Sequence, residues 1–268
     1  MRIQLFLTML LLAIFSVAQA QTSEISRLAT AVYESGVQQG KLVPSGDRQA
    51  AARVQSIGET VARASKRRVT WKFHLVEDTE PQAFTFGEGV VVVSTGLLDM
   101  GLTDDELAGV LAHEVAHGTE QHTARVLNLQ RRMLEVLLEA SQAQEMAQKI
   151  QAETQSTDSM EYHSKMVTVN RKVSDIERKL KNIEGELKYQ RQLKHSDEIT
   201  ADIVGLRYAV TAGYSHEGLG TALDKLLARG IKEFGSGHTG ESLSHPPLAQ
   251  RMTILKKVQA DWAAGRVR

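Results

Sequence analysis

Two histidines and a glutamate carry the clearest chemistry in this 268-residue sequence, in the run His113-Glu114-Val115-Ala116-His117. Four positions apart on a helix, the imidazoles of His113 and His117 lie one turn apart on a single face and can share a metal ion. Glu114 sits beside them, placed to take a proton from a water that the metal activates. Neutral imidazole suits zinc, and a catalytic zinc keeps three protein ligands and one open position. The bland alternative is a surface helix with two solvated histidines. A third ligand decides between the two readings. It does not follow the metzincin pattern, because Glu120 stands where that pattern has Gly and Thr123 where it has His. Glu198 is the better candidate. With Asp202 four residues on, it faces the same side of a helix, so Glu198 completes a His-His-Glu set and Asp202 orients a ligand imidazole. Taken alone, Glu-x-x-x-Asp has a solvated helix face as its default reading. Placement is what strengthens it.

The elements that must position these groups are read from periodicity and punctuation. Ser23 to Gln38 and Asp47 to Ser65 are predicted helices, separated by Gly40 and a Pro44-Ser45-Gly46 turn. Val69 to Val76 alternates as a half-buried strand, Gln82 to Phe86 is a second extended piece, and Val90 to Ser94 is a β-branched third strand. Thr103-x-x-Glu106 is a capping box, so a long helix starts near Asp104 and carries His113 in its third turn. Neither Gly nor Pro halts it for many residues after Gly118. Gly230 to Ser244, rich in Gly and Ser, reads as a loop, and a last helix follows Pro246-Pro247.

Between the His113 helix and Glu198, apolar residues step by alternating three and four. Val126, Leu129, Met133, Val136, Ala140, Ala143, Ala147 and Ile150 form one series; Met166, Val169, Val173, Ile176, Leu180, Ile183 and Leu187 form another. Polar Ser156 to Ser159 separates them. Heptad spacing on two helices around a short turn predicts an antiparallel coiled-coil hairpin over 124–194, an arm of about 45 Å at ~1.5 Å per residue. The alternative is a pair of amphipathic helices lying flat on the domain. Leu134, Leu137 and Leu138 widen the apolar face near the base, where packing is expected. A hairpin returns the chain to its start, so the long sequence separation of His117 and Glu198 becomes a short distance in space. His74, His122, His163, His195 and His216 read as surface residues, and His238 in the Gly/Ser loop as at most an incidental metal contact.

His113-Glu114-Val115-Ala116-His117, Glu198-Ile199-Thr200-Ala201-Asp202 and His245-Pro246 followed by Arg251 resemble the HtpX-like and CAAX-prenyl-protease-type zinc metallopeptidases, above all their soluble periplasmic quality-control members. The likeness runs from about Asp47 to Met252. It implies a gluzincin fold: α+β, mostly α, with a small antiparallel sheet and one zinc per chain on His113, His117 and Glu198. Glu114 is then the base, and His245 and Arg251 stabilise the oxyanion. His245 capping the metal in a resting state is the competing role. The resemblance also implies that an edge strand, Val90, Val91, Val92, Val93 and Ser94, binds substrate backbone by β-addition. Gln82 replaces the Asn usual in the family. The heptad insertion is not a feature the resemblance carries over.

Length and composition suit one globular domain, 21–268, after a signal peptide over 1–20. Arg2, the apolar run Leu5 to Val17 and Ala18-Gln19-Ala20 form the three parts of that signal, with cleavage after Ala20 and delivery to the periplasm. An uncleaved anchor is the alternative. No cysteine occurs, so a lipoprotein anchor has no attachment residue, and disulfides and thiolate metal sites are excluded. Lys+Arg and Asp+Glu both number 32, which gives no reason to expect nucleic acid as a partner. No later stretch is long and apolar enough to span a bilayer, so the mature chain is expected to be soluble or peripheral to a membrane. The expected function is cleavage of unfolded or misassembled envelope proteins. The alternative is a chaperone-like module that binds a protein partner through the arm, with latent proteolysis.

Overall fold

The structure, a computed structural model, describes residues 24–153, 160–234 and 247–263. The expected signal peptide, most of the Gly/Ser loop and His245 lie outside the described residues. Eight helices and three strands occur among those described: α1 (24–38), α2 (Arg48–Ala64), β1 (Lys72–Val76), β2 (Ala83–Gly87), β3 (Val90–Ser94), α3 (Thr95–Leu98), α4 (Asp104–Thr119), α5 (His122–Glu153), α6 (Met160–Thr211), α7 (Gly218–Phe234) and α8 (Leu248–Ala263). The chain divides into two compact units. One comprises the described residues up to Ala124 and from Lys194; the other is Arg125–Leu193.

In the first unit the expected antiparallel sheet is instead mixed. Strand order is β1-β3-β2, with β1 parallel and β2 antiparallel to β3. This also corrects the reading of Val90–Ser94 as an edge. Four valines and Ser94 are all buried, and the centre of the sheet is the one place where both faces and both backbone edges of such a strand are covered. The turn that reverses β2 into β3 uses Gly89 at φ 106, a left-handed conformation open to glycine. β1 and β2 are the outer strands, and Pro44 bridges to Val76 of β1. α1 covers part of the sheet, and Tyr33 stacks on His74 at 3.8 Å, so His74 is half-buried rather than exposed.

α4 is the spine of this unit. The Thr103 hydroxyl accepts from Glu106 N–H while the Glu106 carboxylate accepts from Thr103 N–H at 2.8 Å, completing the capping box, and Lys225 donates to Glu106 at 2.7 Å. From Glu106 to Thr119 every residue except His117 is buried. Leu107, Leu111 and Val115 join Val54, Phe73 and Val91 in the core. The helix does not run on as the sequence suggested. It ends at Thr119, Gln121 turns into the left-handed region (φ 60), and α5 starts afresh at His122. Arg67 donates to the Thr119 carbonyl at 2.6 Å, a cation at the negative end of the helix dipole. α7 also departs from expectation: it stays helical through Phe234, past Gly230.

Within the second unit, Val136, Ala143, Ile176 and Ile183 form a separate buried cluster, flanked by Met133, Ala140, Leu180 and Leu187. Ion pairs join α5 to α6 there: Arg132 to Glu186 at 2.7 Å and Lys179 to Glu139 at 2.7 Å. Val173, read as a seam residue, is exposed, as are Leu134, Leu137 and Leu138.

Candidate active site

Three elements of the first unit meet at the His113 run. α4 supplies His113, Glu114 and His117; α6 supplies Glu198 and Asp202; α8 supplies Arg251. Backbones must come close for short side chains to meet. Gly205 makes this possible, since a Cβ there would stand 2.8 Å from the His113 nitrogen. Nε2 of His113 and Nε2 of His117 are 3.1 Å apart. Glu198 offers Oε2 at 3.4 Å to the first and Oε1 at 3.2 Å to the second. These three residues form a group that could hold a metal ion. The edges fit one: donors ~2.0–2.1 Å from a tetrahedral zinc lie about 3.3 Å from each other. The donor chemistry, two imidazoles and a carboxylate, fits as well.

A second layer holds the first. His113 Nδ1 lies 2.9 Å from Asp202 Oδ1. Arg251 grips the same carboxylate through Nε at 2.9 Å and Nη2 at 2.6 Å, and its Nη1 is 3.6 Å from Glu198. Asp202 is 1% and Arg251 4% exposed, so each depends on the other to offset its lost hydration. Burial opposes protonation of His113, but hydrogen bonds to Asp202 and Glu198 outweigh it and raise the pKa to about 9. Burial also pushes the Glu114 carboxyl up from its ordinary value, against the pull of both histidines. That direction brings Glu114 closer to a carboxyl able both to accept and to return a proton near neutral pH.

A cavity of about 290 Å³ opens beside these groups. His113, Glu114 and Arg251 line it, and Val110, Leu219, Leu223 and Leu248 supply apolar wall. Gln82 and Ala83, at the start of the edge strand β2, border it too.

His113, His117, Glu198, Asp202, Glu114 and Arg251 are thus brought together, while Val90–Ser94 passes inside the sheet and His245 is outside the described residues. One residue was missed. His122, read as a surface histidine, is 8% exposed, with Nδ1 3.0 Å from His117 Nδ1. His163, His195 and His216 are exposed as expected.

A model of peptidase family M48 matches residues 48–259, most of the chain and all six of these groups. The chain belongs to peptidase family M48. Among relatives, the beta-barrel assembly-enhancing protease of Yersinia pestis is 40% identical over 73 residues, 27% of this chain and 15% of that protein. The mitochondrial metalloendopeptidase OMA1 of Schizosaccharomyces pombe is 44% identical over 54 residues, 20% of this chain and 16% of its own. Its namesake in Arabidopsis thaliana is 26% identical over 190 residues, 70% of this chain and 31% of that protein. The chain therefore spans less than a third of the length of these M48 relatives.

Proposed function

We propose that this M48 chain is a zinc-dependent endopeptidase of the envelope that hydrolyses peptide bonds in unfolded or misassembled proteins. The observation that carries the reading is the set of donor separations, 3.1, 3.2 and 3.4 Å among His113, His117 and Glu198, with buried Glu114 on the same helix. A zinc ion held there would supply Lewis acidity toward a peptide carbonyl and a water. Glu114 accepts the proton of the attacking water and delivers it to the leaving amine. Arg251 fixes Asp202, and Asp202 holds the His113 ring. A substrate strand adds to β2, the outer strand whose start borders the cavity, rather than to Val90–Ser94, with an apolar side chain in that cavity. Recognition of backbone selects extended chain over any one sequence, which suits unfolded substrates. His245 completes the oxyanion side in this reading: His245→Ala lowers activity if it does so and raises activity if it caps the metal instead. The signal-like segment 1–20 is the basis for proposing periplasmic delivery. Among the described residues, no helix is long and apolar enough to cross a membrane.

The test is hydrolysis of casein: chelator-sensitive, restored by zinc, and reduced by about 10²–10⁴-fold in Glu114→Gln. A chain with full zinc occupancy that leaves unfolded proteins intact would sink the proposal. One observation favours a second reading, in which Arg125–Leu193 is an antiparallel coiled-coil arm that engages a protein partner: Leu134, Leu137 and Leu138 are 67%, 52% and 61% exposed. Replacing all three with Gln should abolish partner capture while casein cleavage continues.

A further inference from the structure

The two histidines of the metal group are held from behind by different partners. His113 Nδ1 faces the Asp202 carboxylate directly. His117 Nδ1 faces another imidazole, His122 Nδ1 at 3.0 Å, and His122 Nε2 lies 3.4 Å from Asp197 Oδ1. Hydrogen accounting then selects one arrangement. A neutral imidazole that offers Nε2 to a metal carries its hydrogen on Nδ1. The Nδ1–H of His117 must therefore donate, and the Nδ1 of His122 must accept. His122 keeps its own hydrogen on Nε2, the nitrogen 3.4 Å from Asp197 Oδ1.

The backbone is shaped for this contact. Five residues along an unbroken helix turn through about 500°, which would leave His122 about 140° around the axis from His117. The end of α4 at Thr119 and the left-handed Gln121 remove that constraint and return the His122 ring to His117. Gln121 adopts a conformation that residues other than glycine rarely occupy. His122 is buried beside it, while Asp197 is partly buried and adjoins Glu198 on α6.

We propose that His122 is a positioning residue of the metal centre, which with Asp197 fixes the tautomer and ring orientation of His117. The proposal rests on the reading that His113, His117 and Glu198 bind zinc. It predicts that the two ligand imidazoles are supported unequally: His113 by a carboxylate, His117 by a carboxylate acting through a neutral ring.

The test measures zinc affinity of the full chain by competition with a chromophoric chelator, alongside thermal unfolding of the zinc-stripped protein. His122→Phe keeps the ring volume and removes the acceptor; it should weaken zinc binding by about 10–100-fold. His122→Asn, whose Oδ1 stands near the position of Nδ1, should stay within a few-fold of wild type, and Asp197→Asn should weaken binding several-fold. Equal losses in the Phe and Asn variants would reduce His122 to a space-filling residue, and wild-type affinity in the Phe variant would overturn the proposal outright. Should the Phe variant fail to fold, Asp197→Asn decides at its partly exposed position: unchanged affinity overturns the relay. A wild-type chain that binds no zinc removes the metal reading and this proposal together, whereas tight wild-type binding with unaffected variants removes this proposal alone.

Discussion

α4 and the helices of Arg125–Leu193 are built from the same backbone geometry and buried in opposite ways. In α4 only His117 escapes burial between Glu106 and Thr119. In the second unit one position in seven is buried: Leu129, Val136, Ala143 and Ile150 on α5, and Val169, Ile176 and Ile183 on α6. A helix surrounded on all sides can hold His113 and Glu114 away from bulk water, where a fixed charge acts strongly. A helix that contributes one strip cannot; its charges pair across or along the surface, as Arg132 does with Glu186. The first arrangement builds chemistry. The second builds shape and leaves a surface for contact.

Core truncations should separate the two most widely. Leu111 and Ile183 are both fully buried, at 0% and 1% exposure. Leu111→Ala, in a core closed on every side, should cost near the top of the ~2–5 kcal/mol range for such changes and reduce zinc affinity as α4 shifts. Ile183→Ala should fall near the bottom of that range, because flanking side chains can collapse into the gap, and should leave zinc affinity intact. Urea unfolding with parallel metal titration reads both. Equal costs with equal loss of zinc would show that the two units unfold as one and break the comparison.

Gly205→Ala attacks the contact through which α6 brings Glu198 to α4. The new methyl would meet the His113 backbone at 2.8 Å, and separating two packed backbones costs about 1–3 kcal/mol. Misplacing Glu198 by even about 1 Å can cost on the order of 10²-fold in rate, so casein cleavage should fall far more than stability does. Unchanged turnover would mean that the helices part without moving Glu198.

Glu106 gives a smaller effect with a definite pH signature. Burial would raise its pKa, but Lys225 and the Thr103 cap outweigh burial and hold it below the ordinary value of 4.5. A depressed folded pKa contributes stability that is present above the unfolded value and lost as pH falls through the folded one. Glu106→Gln should therefore be less stable than wild type by about 1 kcal/mol at pH 7, with the gap closing below pH 4.5. Melting curves from pH 7 to 3 check it; a gap that persists in acid would assign the effect to packing.

The same contrast governs what could be read from the sequence. His113, Glu114 and His117 were legible because helical spacing alone puts them on one face, and Glu198 and Asp202 because two heptad series foretell a returning helix. Strand order was not legible: alternation and β-branching mark a strand without naming its neighbours, so nothing in the residues opposed the edge position that the family resemblance implied for Val90–Ser94, which runs between β1 and β2. The break after Thr119 left no trace either, because the left-handed turn falls on Gln121 rather than on the Gly or Asn that would announce it. His122 was misjudged for that reason alone. Gly205 did leave a sign, a lone glycine inside a helical pattern, which implies a close approach without telling what approaches.

That sign is ambiguous, and a second glycine on α6 shows how to resolve it. Gly185 lies in the second unit, and a Cβ built there meets nothing within 4 Å. It is exposed, on the side of the helix opposite buried Ile183 and half-buried Leu187. With no neighbour to displace, an added methyl acts only on the backbone, restricting the unfolded chain and favouring the helix. Gly185→Ala should therefore stabilise the second unit by about 0.5–1 kcal/mol, without effect on zinc binding or casein cleavage. Thermal unfolding followed by helical circular dichroism reads the gain. Opposite signs for Gly185→Ala and Gly205→Ala on one continuous helix would trace the boundary between shape and chemistry along α6. Destabilisation at both positions would show that the surface around Gly185 is in contact with something, and the second copy of the chain would be the first partner to test by sedimentation.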